Sequence, residues 1–170
     1  MLIEPWWFSR YPRDGGRRMT RFVEMLTPVM TVMQFLDDIP LKTGKAAFGI
    51  RASFHREGFL SFNARLHHIR LRFGQKPHAI GEGRLRTPLD TDPLTNARCA
   101  WFISPDMPVV VDASLQRVPP SVKLTRGSRV QISLVVHMIG PNALGFLPRG
   151  VQILHLEPPS DDPDLPFKRH

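Results

Sequence analysis

Residues 48–73 have the sequence FGIRASFHREGFLSFNARLHHIRLRF, and the spacing of their apolar side chains decides the predicted fold. Apolar and polar residues alternate over 48–54, which is the pattern of a β-strand with one buried face. Residues 55–58 predict a tight turn, because Gly58 can adopt positive φ without strain. The alternation resumes over 60–66. The stretch therefore predicts two neighbouring antiparallel strands joined by a short turn.

The second predicted strand changes phase at His67 and His68. Beyond this pair the apolar positions are Ile69, Leu71 and Phe73, so the alternation has slipped by one residue. A one-residue slip is what a β-bulge produces, and a bulge bends the strand that contains it. Bending of this kind lets a sheet curl into a small barrel.

The rest of the chain also favours short strands over helices. It contains 17 prolines, and proline interrupts both helix interiors and central strands. Apolar runs or alternations predict at most a short strand within 79–86, two short strands or one interrupted strand at 100–103 and 109–111, and strands at 130–138 and 145–156. No segment has the pattern of an amphipathic helix. The sequence therefore predicts a mainly all-β fold of five or six strands, with a long functional loop in the Gly- and Pro-rich region 74–98.

At 170 residues the chain is long enough for one domain with a hydrophobic core and too short for two full ones. Residues 1–28 are rich in arginine and aromatic residues without a clear period, which predicts a basic arm whose order the sequence leaves open. Residues 29–157 form the predicted domain. Residues 158–170 predict a flexible tail, because prolines and acidic residues disfavour regular structure there.

The chain carries 23 Lys and Arg against 15 Asp and Glu, with a formal charge of +8 and a pI near 10.7. This excess of positive charge favours a polyanionic partner. Eight basic and two acidic residues lie between Arg51 and Arg86. The two predicted strands place much of this charge on one polar surface, which suits a phosphate backbone. A solvated face that only aids solubility is the alternative.

Aromatic side chains accompany this charge. Bases of a single strand stack on exposed rings, and Phe59 and Trp101 lie in or beside the basic stretch. Each basic residue would neutralise a phosphate, and each exposed ring would hold a base. The predicted nucleic-acid-binding residues are Arg51, His55, Phe59, Arg65, His67, Arg70, Arg72, Arg84, Arg86 and Trp101.

The sequence lacks the common motifs of catalysis and cofactor binding. It has no Gly-x-x-x-x-Gly-Lys-Ser/Thr loop, no Gly-x-Ser-x-Gly elbow and no His-Glu-x-x-His pair. Cys99 is the single cysteine, which excludes an internal disulfide and a zinc site built on cysteine pairs and favours a reducing, cytoplasmic location. No uninterrupted run approaches the roughly 18 apolar residues of a membrane span. We therefore expect no enzyme, no cofactor, no metal and no membrane partner.

Residues 127–158, GSRVQISLVVHMIGPNALGFLPRGVQILHLEP, resemble the closing strands of phage-type single-stranded DNA-binding proteins with an OB-fold. In that family a Gly-led strand is followed by a turn and a final strand. The residues that supply part of the final strand's pattern are Gly145, Leu147, Gly150, Val151 and Gln152. Phe146 and Pro148 depart from the pattern. The resemblance implies an OB-fold barrel of five or six strands.

Residues 160–167, SDDPDLPF, are similar to the acidic tip of bacterial single-stranded DNA-binding proteins. That family uses the tip to recruit replication and repair proteins, with its Phe in an apolar pocket and its acids against a basic rim. The matching residues are Asp161, Asp162, Asp164, Pro166 and Phe167. In this chain Lys168, Arg169 and His170 follow the Phe, whereas the family's tip ends there.

The two resemblances imply a protein that coats and protects single-stranded DNA in replication, recombination or repair, without sequence preference, in a bacterial or phage-infected cell. They imply replication or repair partners for the tail and leave a homo-oligomer open. A structural β-rich phage tail or capsid protein would share the strands and the lack of catalytic motifs. An RNA-binding OB module would share the basic face, and no pattern in the sequence reveals contact with a 2′-hydroxyl.

Overall fold

The computed structural model describes residues 22–40, 46–73, 88–140 and 143–159. This part of the chain contains eight strands and one helix. In chain order they are β1 (Phe22–Leu26), β2 (Met30–Pro40), β3 (Ala46–Phe54), α1 (Arg56–Arg72), β4 (Leu89–Thr91), β5 (Arg98–Ser104), β6 (Val109–Val111), β7 (Arg129–Gly140) and β8 (Ala143–His155).

The strands form one sheet in the order β4-β5-β3-β2-β7-β8-β6, and β1 pairs with β7 beside this path. The pairs are antiparallel, apart from the parallel pair of β6 and β8. Phe102 of β5 stacks on Phe146 of β8 with 5.9 Å between ring centroids, although three strands lie between them in the sheet. The sheet must therefore curl, and register shifts in the β2–β3 and β7–β8 pairs help it to bend. The architecture is an open, OB-like sheet.

The mainly all-β class predicted from the sequence is confirmed. The strands predicted from the alternations at 48–54 and 130–138, and from the runs at 100–103, 109–111 and 145–156, correspond to β3, β7, β5, β6 and β8. The structure adds β1, β2 and β4, so the described part of the chain has eight strands rather than five or six.

The predicted turn at 55–58 and the predicted bulged strand over 60–73 are wrong. These residues form α1, so the expectation that the chain has no amphipathic helix is wrong as well. The phase change at His67 and His68 is thus not a bulge. Both residues lie within α1, where a period of two does not correspond to one face of the backbone.

Two apolar patterns overlap in this stretch, and the helical one decides the structure. Phe62, Leu66, Ile69 and Phe73 follow helical spacing, and each is 8% exposed or less. Leu60, which the strand pattern placed on the same side as Phe62, is 60% exposed. An acidic residue in the first turn and two arginines in the last turn also suit the helix macrodipole. Burial of one helical stripe therefore outweighs the period-two pattern.

Phe62 connects α1 to the sheet. Its ring centroid lies 5.1 Å from that of Phe54 on β3 and 5.7 Å from that of Phe146 on β8. Helix α1 therefore covers the core on the inner side of these strands. It has neither the length nor the apolar character of a membrane-spanning helix.

Part of the predicted arm belongs to the sheet. Residues 22–26 form β1, where Phe22 pairs with His137 and Leu26 with Ser133 of β7. The rest of the arm (1–21), the strand predicted within 79–86 and residues 160–170 of the tail lie outside the described residues.

Candidate nucleic-acid interface

Alternate residues of β3 and β5 point away from the core and form one surface. Residues directly opposite each other in an antiparallel pair share a side of the sheet, and the register places Arg51 opposite Trp101 and Gly49 opposite Ile103. The side chain of Phe102, between Trp101 and Ile103, is fully buried on the other side. We use the name sheet face for Gln34, Arg51, Ser53, Trp101 and Ile103.

The sheet face presents an aromatic ring and aliphatic surface to solvent. Ile103 is 42% exposed, and Trp101 is partly exposed. Gln34 of β2, opposite Arg51 in the β2–β3 pair, is exposed as well. In the pair of Trp101 and Arg51 the indole ring can stack on another flat ring, and the guanidinium can bind an anion.

Arg51 is held among two carboxylates and a thiol. Its Nη2 atom lies 3.7 Å from Asp92 Oδ1, 4.0 Å from Asp90 Oδ2 and 3.6 Å from the Sγ atom of Cys99. Its Nε atom is buried and has no hydrogen-bond partner. The guanidinium is therefore placed by opposite charges without a short hydrogen bond to either carboxylate.

Asp92 is the fixed member of this group. Its Oδ2 atom accepts hydrogen bonds from the Thr95 hydroxyl at 2.6 Å and from the Thr95 backbone N–H at 3.1 Å. The Thr95 hydroxyl, more than the charges of Arg51 and Arg126, holds the pKa of Asp92 below its usual value. Asp92 therefore stays ionised and anchors both the β4–β5 turn and the position of Arg51.

Cys99 lies under this group and is fully buried. Burial raises the pKa of its thiol above the usual value, although the nearby Arg51 acts in the opposite direction. A thiol with a raised pKa is a poor nucleophile at neutral pH. Cys99 therefore acts as a packing residue beneath Arg51.

The basic residues of α1 lie around the side of the helix that faces away from its buried stripe. At about 100° per residue, Arg65 and Arg72 lie on one flank of this side and Arg70 on the other, with His67 between them. We use the name helix face for Arg65, His67, Arg70 and Arg72. Arg65, His67 and Arg72 are exposed, and Arg65 Nη1 donates a hydrogen bond to the Leu26 carbonyl oxygen at 3.1 Å. Because α1 packs on the inner side of the sheet, the structure separates the helix face from Arg51 and Trp101, which the sequence analysis had placed on one continuous surface.

His55 and Phe59 lie at the start of α1. His55 is exposed and makes no capping hydrogen bond with its side chain. The ring of Phe59 packs edge-on against Phe54 with 5.6 Å between centroids, and the Arg98 guanidinium lies 5.3 Å from its centre. One side of this ring is therefore already occupied by a cation from the chain itself.

The remaining predicted site residues, Arg84, Arg86, Asp161, Asp162, Asp164, Pro166 and Phe167, lie outside the described residues. Conversely, no charge or spacing pattern in the sequence pointed to Asp90 and Asp92 as site residues. The string Asp92-Pro-Leu-Thr-Asn96 does carry a turn signal, since Asp and Thr side chains bond to nearby backbone groups. Their pairing with Arg51 depends on the register of β3, β5 and β4, which no local pattern contains.

Solved structures of phage single-stranded DNA-binding proteins have a similar fold. Protein gp2.5 of bacteriophage T7 matches with a TM-score of 0.55 and 11% identity, over 84% of this chain and 96% of that one. The protein from bacteriophage Enc34 matches with a TM-score of 0.59 and 9% identity, over 84% of this chain and 86% of that one. Its complex with single-stranded DNA matches with a TM-score of 0.59 and 9% identity, over 80% of this chain and 88% of that one.

At these identities the likeness concerns the fold. The resemblance to phage-type single-stranded DNA-binding proteins, predicted from the closing strands, is confirmed at that level. No protein-family model and no curated protein sequence matches this chain.

Proposed function

We propose that this protein binds single-stranded DNA through the sheet face, with slight sequence preference, and coats and protects the strand in replication, recombination or repair. The observation that carries the proposal is the position of Trp101 opposite Arg51 on the outward side of an OB-like sheet. The strand faces of OB-folds are a common place for oligonucleotides to bind.

The chemistry of the sheet face supports this proposal. Every base has a flat π-face, so stacking on Trp101 is sequence-tolerant and is worth about 1–3 kcal/mol per base. Arg51 lies directly opposite Trp101 in the β3–β5 pair, so its guanidinium would meet a phosphate next to the stacked base. The structural neighbours are single-stranded DNA-binding proteins, and one was solved in complex with single-stranded DNA.

The helix face has a supporting place in the proposal. Its arginines, with Arg84, Arg86 and His55, would attract and track the phosphate backbone by charge. Phe59 would stabilise β3 and the position of Arg98, because its ring packs against Phe54 and against the Arg98 guanidinium. Single-stranded DNA that contacts both surfaces would pass around an edge of the curled β-sheet.

We also propose that Asp161, Asp162, Asp164, Pro166 and Phe167 recruit replication or repair proteins in the cytoplasm. This part of the proposal is supported by the sequence of the tail, in which acids precede a Pro-Phe pair. We assign no catalytic residue and no cofactor.

The test is fluorescence anisotropy of the full chain with labelled oligo-dT, its duplex and oligo-rU at two salt concentrations. We expect salt-sensitive binding that prefers oligo-dT over the duplex. We expect Trp101→Ala to lower affinity by about 1–3 kcal/mol, roughly 5- to 150-fold, and Trp101→Phe to keep most of it. Absence of binding at low salt would contradict the proposal, and a preference for oligo-rU would assign RNA as the partner.

Tryptophan fluorescence tests where on the protein the DNA binds. The chain has three tryptophans, so Trp6→Phe with Trp7→Phe leaves Trp101 as the single indole. We expect its emission to be quenched as oligo-dT is added. Binding without any change in Trp101 emission would move the site away from the sheet face.

A further inference from the structure

We infer that Asp90 is a displaceable counter-ion for Arg51. When single-stranded DNA binds, one of its phosphates takes the place of the Asp90 carboxylate beside Arg51, so Asp90 lowers the affinity of the protein for single-stranded DNA. This inference rests on the proposed function and adds a regulating residue to the same site. It assigns different tasks to the two carboxylates near Arg51: Asp92 positions the guanidinium, and Asp90 yields to the phosphate.

The two carboxylates differ in how firmly they are held. The side chain of Asp92 is 6% exposed and is bonded twice by Thr95. The side chain of Asp90 is 62% exposed, and its Oδ2 atom lies at the longer distance of 4.0 Å from Arg51 Nη2. Its other oxygen accepts a hydrogen bond at 2.7 Å from the N–H of Thr91, the next residue in the chain. Asp90 can therefore leave Arg51 by a side-chain rotation, whereas Asp92 cannot.

Arg51 is placed but lacks a close acceptor. Neither carboxylate is within hydrogen-bond distance of its Nη2 atom, and the sulfur of Cys99 at 3.6 Å is a weak acceptor. The buried Nε atom has no partner. A guanidinium is well suited to two parallel hydrogen bonds with a phosphate, at distances shorter than those to either carboxylate here. A phosphate oxygen at Nη2 would thus supply the close acceptor that neither carboxylate provides there.

Charge explains why Asp90 would lower affinity. Two arginines, Arg51 and Arg126, act on Asp92 electrostatically, and Asp90 adds a second negative charge to this group. A phosphate that approaches Arg51 meets the repulsion of Asp90 and must break its ion pair. Because exposed ion pairs are weak, this barrier is small and the exchange is reversible.

The experiment compares Asp90→Asn with Asp106→Asn in the full chain. Both substitutions remove one negative charge from an exposed residue, and Asp106 lies in the loop after β5. We expect Asp90→Asn to bind labelled oligo-dT roughly two- to fivefold more tightly at low salt, as the loss of an exposed ion pair predicts. We expect Asp106→Asn to bind like the unmodified protein.

A double-mutant cycle tests the pairing itself. In an Arg51→Gln background, Asp90→Asn should give no gain in affinity, because the phosphate then has no guanidinium to meet. Equal gains in Asp90→Asn and Asp106→Asn, a gain that persists without Arg51, or no gain at all would each overturn the inference. Failure of the unmodified protein to bind oligo-dT would instead overturn the proposed function, so the two failures are distinguishable.

Discussion

The sheet face and the helix face carry basic residues in opposite ways. On the sheet face a single arginine, Arg51, is 20% exposed and is held by two carboxylates beside an indole ring. On the helix face Arg65 and Arg72 are exposed on one helix. A guanidinium in a partly buried, fixed position presents its hydrogen-bond donors at one place, and its charge is screened little by salt. Exposed side chains adopt many positions, and their charges are screened by salt. In the proposed function, the same residue type would thus orient a bound strand of DNA on one surface and attract it by charge on the other.

The largest predicted effect concerns Phe62, the residue that packs α1, and with it the helix face, against the sheet. We expect Phe62→Ala to lower the free energy of unfolding by about 3–5 kcal/mol, because it leaves a cavity between α1, β3 and β8. Urea denaturation measures this change. Leu60→Ala is the control on the same helix, with an expected cost below about 0.5 kcal/mol, because Leu60 is 60% exposed.

The two substitutions also separate the helix from the strand that the sequence predicted. A strand over 60–66 would bury Leu60 and Phe62 on one side, so similar losses of stability in both variants would contradict α1. Such a result would also remove the separation between the helix face and the sheet face.

A smaller effect should distinguish the sheet face from the helix face by how the affinity for oligo-dT depends on salt concentration. We expect the combined Arg65→Ala, Arg70→Ala and Arg72→Ala variant to bind oligo-dT more weakly at low salt. The slope of log affinity against log salt should flatten by up to roughly 2, since each phosphate contact contributes about 0.7. Trp101→Ala should lower affinity while it leaves this slope almost unchanged. An unaltered slope in the triple variant would show that the strand does not contact the helix face.

The smallest effect concerns the anchor of Arg51 and its dependence on pH. The pKa of Asp92 is lowered in the folded protein, so its ionised form stabilises the fold above the usual value of 3.8, and this stabilisation is lost as pH falls through the lower, folded value. Asp92→Asn should therefore lower the thermal unfolding midpoint at neutral pH and cost progressively less as pH falls below 3.8. The same deficit at all pH values would assign the effect to lost hydrogen-bond geometry instead of charge.

Much of the sheet was predictable because strands leave a direct mark on sequence. The alternations at 48–54 and 130–138 identified β3 and β7, and short apolar runs identified β5 and β6. Helix α1 was missed for a physical reason: Phe62 and Leu66 satisfy both a period of two and a helical spacing. The choice between them depends on which neighbours are buried together, and the contacts of Phe62 with Phe54 and Phe146 decide it.

The candidate site was predictable only as separate residues. The sequence singled out Arg51 and Trp101 by charge and aromaticity, but 49 positions separate them in the chain. It grouped Arg51 with the arginines of α1, because a strand over 60–66 would have continued the same polar surface. It passed over Asp90 and Asp92, whose importance comes from their distance to Arg51.

By itself, the sequence determined a mainly β class, a basic and aromatic composition and a set of candidate residues for contacts with phosphates and bases. These properties are local, since they depend on side-chain chemistry and on the spacing of neighbours along one chain segment. Tertiary structure alone decided that residues 56–72 are helical, that Trp101 lies opposite Arg51 and that the carboxylates of Asp90 and Asp92 lie within 4.0 Å of the Arg51 guanidinium. Those properties depend on strand register and on shared burial, which join residues that are distant in the sequence.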